Sequence, residues 1–120
     1  MALNDELRRA LELEGTAVGC MLMPWFDDEW ALTIAAQLDE CVDRLIPGMV
    51  RQASPYARAI YVDLLMALAL TAESVRRKTR GDQASADQHV ASASKCLARV
   101  TMREIVFQRE GDRTDGSIWD

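Results

Sequence analysis

At 120 residues the chain has the length of one ordinary domain, and with 49% hydrophobic and 28% charged residues it is too apolar for intrinsic disorder. Fourteen basic residues against nineteen acidic ones give a net charge of −5, which argues against general nucleic-acid binding and suits a soluble protein or one with a basic partner. The three cysteines, Cys20, Cys41 and Cys96, are odd in number and widely spaced, so they read as reduced thiols and a cytoplasmic location is expected.

The start, MALNDELRR, is polar and acidic within six residues, unlike a secretory signal. Residues 4–14 then read as a short helix. Leu3, Leu7, Ala10, Leu11 and Glu14 keep helical spacing, Asn4 is placed to cap the free amides, and Asp5 and Glu6 sit at the positive end of the dipole. Gly15 is placed to end it.

The stretch TAVGCMLM at 16–23 is nearly continuous apolar sequence, and periodicity alone does not separate a buried strand from a buried helix over eight residues. A strand there needs a partner, and 102–109 (MREIVFQR) is the plausible one. That segment lacks clean alternation, which favours helix for it.

Residues 28–46 form a clear amphipathic pattern, with Trp30, Ile34, Leu38, Cys41, Val42 and Leu45 on one stripe. Asp27 or Asp28 caps this helix, Trp30 is expected in the core, and Pro47-Gly48 is expected to stop it. Pro24, Trp25 and Phe26 stand outside the stripe. Ser54-Pro55 opens a third helix running to Gly81. Between Ile60 and Ala72 only Asp63 and Thr71 are polar, so this helix is central or lies at a subunit interface. The run is also too short for a membrane span of about 20 residues. A fourth helix is expected from Ser85, with Ser85 and Gln88 as a capping box. Its first half is rich in Ala and Ser, which lets the third helix approach closely.

These elements predict an all-α fold, a four-helix antiparallel bundle in one domain over 1–110, with 111–120 as a flexible tail. The alternative is α+β, with a short strand at 16–23 paired to 102–109.

Three cysteines and the single His89 invite a zinc reading. His89 and Cys96 are seven residues apart, about 10.5 Å along a helix, and no short-spaced ligand pair exists, so no metal or cofactor is expected. As a small acidic helical chain with one histidine, the protein resembles histidine phosphotransfer domains in outline. Their His-x-x-Lys-Gly pattern is not matched, since Lys95 lies six residues after His89 with no glycine. Ser85 and Ser92 can share a helix face with His89, but no orienting acid or oxyanion hole accompanies them, so no enzyme is expected.

The basic run Arg76, Arg77, Lys78 and Arg80 is a possible polyanion contact, which makes a helical subunit of a nucleic-acid-handling complex the second reading. The same charges complement the negative end of the helix dipole. The first reading is a protein–protein interaction module: an adaptor, accessory subunit or inhibitor, acting as a homodimer through apolar helix faces. It rests on the apolar perimeter of the third helix, on six methionines, and on Trp25, Phe26 and Trp119 as aromatic anchors. A phosphotransfer role at His89 ranks last.

Overall fold

A computed structural model describes residues 3–23 and 27–114, with side chains through 106 and at 109. The fold is all-α. Its four helices are α1 (Asp5–Met21), α2 (Asp28–Arg51), α3 (Pro55–Thr79) and α4 (Gln83–Thr114). No strand occurs among the described residues, so the pairing of 16–23 with 102–109 is excluded: the first belongs mainly to α1 and the second to α4.

Three starts follow the local chemistry expected of them. Asn4 Oδ1 accepts from the Leu7 amide at 2.9 Å, Asp27 Oδ1 from the Trp30 amide at 3.1 Å, and Ser54 Oγ from the Ala57 amide at 3.4 Å. The fourth start differs. Asp82, not Ser85, caps α4 by accepting from the Ser85 amide at 3.2 Å. Ser85 Oγ instead accepts from Arg77 Nη1 at 2.9 Å. Between α3 and α4 the chain turns at Gly81, whose φ of +84° favours glycine.

Of the three expected stops, those at Gly15 and at Pro47-Gly48 are overrun, while α3 ends just before Gly81. Through Gly15 and Gly19, α1 continues to Met21 because Leu7, Ala10, Glu14, Ala17 and Cys20 form one uninterrupted buried stripe. Each glycine costs about 1 kcal/mol of helix propensity, and burying two more turns outweighs that. Although α1 has no basic residue in its last turn, Lys78 of α3 donates to the Met21 carbonyl at 2.8 Å and supplies the missing cation. Likewise α2 runs through Pro47 to Arg51. Proline removes one backbone bond, but the final turn docks: Gly48 lies against Tyr61, and buried Gln52 donates to the Gly48 carbonyl at 3.2 Å.

The main core joins α1, α2 and α3 through Leu7, Leu38, Leu45, Ile60, Tyr61, Leu64 and Leu68. Along α3 lies α4, packed closely where Ala67 meets Ala93 and Cys96. That is the close approach expected from its small residues. Near its start, Ala86 joins Met21, Ala31, Ala35 and Val75. The choice of Ala31 and Ala35 as buried positions turns Trp30 away, and it is 47% exposed rather than in the core. Helix α4 reaches Thr114, past the expected tail boundary at 110. The molecule measures 50 × 23 × 18 Å, and its longest dimension matches the roughly 48 Å length of a 32-residue helix.

Candidate interaction surface

Helix α3 is covered by α1, α2 and α4 on three sides. Its fourth side is a single stripe of Arg58, Val62, Met66 and Ala69, all exposed, with partly covered Leu65 and Glu73 on the same line. These positions recur at spacings of three and four, so they share one helix face. Val62 is 40% exposed and Met66 47%. Apolar side chains are thus left outside on the helix that is otherwise the most buried.

Helix α2 extends the stripe. Arg76 of α3 is paired with Asp39 of α2, and the register of these antiparallel helices is fixed by their three-residue connection and by Gly48 against Tyr61. Seven and eleven residues beyond Asp39 stand Ile46 and Val50, on the same side of α2. With Gly48 against Tyr61 and only three residues joining the helices, they lie beside the first half of the α3 stripe, near Arg58 and Val62. Val50 is 68% exposed and Ile46 is exposed as well. The α3 stripe is therefore apolar in its middle, with Arg58 at one end and Glu73 at the other, while exposed Asp43 stands between Asp39 and Ile46 on the α2 side of the face. Arg58 donates through Nη2 to the Gln52 carbonyl at 2.7 Å, and Glu73 Oε1 accepts from Arg77 Nε at 2.9 Å. Both side chains are held at the ends of the stripe.

On the other flank, Asp63 is nearly buried and accepts from Arg99 Nε at 3.0 Å and Arg103 Nε at 2.8 Å. This clamp fastens the second half of α4 to α3. Above it is a hollow of about 260 Å³ lined by Tyr56, Arg99, Met102, Arg103 and Val106.

No protein-family model, curated protein or solved structure matches this chain.

The residues singled out in the sequence fall differently. Trp25, Phe26 and Trp119 lie outside the described residues. The basic run does not form an open patch. Arg76 is committed to Asp39, Arg77 to Glu73, Ser85 and Asp82, and Lys78 to the end of α1, while Arg80 is exposed. These cations tie α1, α2 and the α3–α4 turn together. His89 Nδ1 lies 2.7 Å from the Ser85 carbonyl one turn back on its own helix. The cysteines sit on three different helices, with Cys20 and Cys96 buried and free. Among the described residues no three His, Cys, Asp or Glu side chains gather as metal ligands would.

A groove of about 600 Å³ between α1 and α2 is lined by Glu6, Arg9, Gln37, Glu40, Cys41 and Arg44. Its charges are largely used within the fold, since Arg44 pairs with Glu40 and Tyr61 Oη donates to Glu6 at 2.7 Å. Burial pushes the Cys41 thiol up, away from the reactive thiolate. Deeper in, Glu14 is fully buried, accepts from the Thr71 hydroxyl, and leaves Oε2 with no partner among the described residues.

Sequence reasoning missed Ile46 and Val50 as surface residues because Pro47-Gly48 read as a stop, which removed Val50 from any helix face. The apolar excess of α3 was the available signal, and exposed Val62 and Met66 lie on that helix.

Proposed function

We propose that this protein is a non-enzymatic interaction module that self-associates through the α2–α3 face and serves as an adaptor, accessory subunit or inhibitor. One observation carries the reading: Ile46, Val50, Val62 and Met66 form a continuous exposed apolar band across two packed helices. Contiguous apolar surface of this kind is characteristic of association sites, and methionine adapts readily to a partner. The ionisable groups support the same conclusion. Glu14 is sealed in the core away from any substrate, and the Cys41 thiol is held protonated. Much of the basic run is committed within the fold, which disfavours polyanion binding. No described helix is long and apolar enough to cross a membrane, and with free cysteines we assign the protein to the cytoplasm.

Light scattering tests this directly. The wild-type chain is expected at about twice its 13.4 kDa mass. Val50→Glu and Met66→Glu should each give monomers that keep their helical circular dichroism, because both side chains are already substantially exposed in the protomer. A wild-type chain that stays monomeric at its highest soluble concentration would remove the reading.

A further inference from the structure

The stripe on α3 reads the same from either end. Arg58 lies as far before the midpoint of Leu65 and Met66 as Glu73 lies after it, and Val62 mirrors Ala69 in the same way. Successive spacings are four and three residues on each side of that midpoint. The mirrored pairs are chemically matched: cation with anion, branched apolar with small apolar, and Leu65 with Met66. A two-fold axis perpendicular to α3, lying just outside the stripe and level with the midpoint of Leu65 and Met66, brings each residue opposite its mirror position in a second copy. We propose that two chains associate by antiparallel packing of α3 on α3 about this point, with Arg58 of each chain meeting Glu73 of the other.

The surroundings fit that geometry. Gly48 lies against Tyr61, so Ile46 and Val50 of α2 stand beside the first half of the stripe and widen its apolar surface. The two reciprocal ion pairs lie about 22 Å apart, one at each end of the seam. Among the described residues Arg58 is anchored through one guanidinium nitrogen and Glu73 through one oxygen, so each keeps a further group for the partner. A parallel arrangement would set Arg58 against Arg58 and Glu73 against Glu73, which disfavours it. The seam follows the spacing of three and four residues that lets two helices interlock.

This inference rests on self-association as proposed above, and reciprocal charge exchange separates the two. Arg58→Glu alone places carboxylates opposite each other twice per dimer, and Glu73→Arg alone does the same with guanidiniums. Each is expected to weaken the dimer by about tenfold or more, read by sedimentation equilibrium. The combined variant Arg58→Glu/Glu73→Arg should return to within about threefold of wild type, because symmetry restores both pairs. Independently, Met66→Cys in a Cys41→Ala background should oxidise to a covalent dimer, and Tyr56→Cys, near the start of α3, should not. A dimer whose charge exchange does not restore affinity, or that cross-links at residue 56 and not at 66, overturns the antiparallel seam while leaving self-association in place. A monomeric wild type overturns both.

Discussion

Glu14 occupies a position in the buried stripe of α1 that an apolar residue would ordinarily fill. It is fully buried, receives a hydrogen bond from Thr71, and has a second oxygen without a described partner. Burial, opposed by the Thr71 bond, raises its pKa from 4.5 to about 7. Below pH 4.5 the carboxyl is protonated in both folded and unfolded chains. As pH rises to about 7 the unfolded chain releases its proton while the folded chain keeps it, so stability falls across that window. The full penalty above pH 7 is on the order of 3 kcal/mol. Glu14→Gln is expected to flatten this dependence and to be more stable than wild type above pH 7, as measured by urea midpoints on either side of the window. Equal pH slopes for the two proteins would mean that Glu14 is hydrated in solution. Tyr61, in contrast, is pushed up to about 12, by burial and by its bond to Glu6, and stays protonated as a structural donor.

At the scale of the helices, glycine has opposite meanings at different positions. A Cβ on Gly48 would lie 2.6 Å from Glu6 Oε2, 3.0 Å from Tyr61 Cε1 and 3.1 Å from Tyr61 Oη. Tyr61 is buried and hydrogen-bonded on both sides, since it also accepts from Asn4 Nδ2 at 3.1 Å, so it has no room to retreat. Gly48→Ala should destabilise by about 1–2 kcal/mol, the overpacking cost exceeding the helix-propensity gain. At Gly15 and Gly19 an added Cβ meets nothing within 4 Å, and alanine there should stabilise by about 0.5–1 kcal/mol each. Chemical denaturation of the three single variants checks both signs. The contrast also explains why α1 and α2 outran their expected ends: at both, burial by neighbouring helices outweighed a local stop signal.

Across the whole molecule, α3 is the common support, and α4 depends on it more than any other helix does. The second half of α4 is held through Val100 in the core and through the clamp of Asp63 on Arg99 and Arg103. Asp63→Ala removes the one carboxylate that neutralises both arginines. A loss of about 1–3 kcal/mol is expected, discounted because the guanidiniums are partly exposed. Hydrogen exchange should quicken over 99–106 and leave the amides of α1 and α2 near their wild-type rates. Uniform quickening over all four helices would instead mean that α4 unfolds only with the rest. The proposed dimer seam belongs to this scale too. It uses the side of α3 that α4 leaves uncovered, so loosening α4 is expected to leave the mass seen by light scattering unchanged.

The all-α fold and the starts of α1, α2 and α3 were legible in the sequence, because they depend on apolar spacing and on side chains bonding to amides three residues away. The apolar excess of α3 was equally visible, since it is a property of composition along one segment. The endpoints of α1 and α2 were decided only by tertiary packing, through Lys78 at the end of α1 and through Tyr61 beside Gly48. So was the exposure of Trp30, because Ala31 and Ala35 are as apolar as the stripe it fits and only the close approach of another helix selects between them. The α2–α3 face emerged in the same way: Ile46 and Val50 come beside the α3 stripe through the docking of Gly48 on Tyr61, a relation between distant residues that no periodicity within one helix contains.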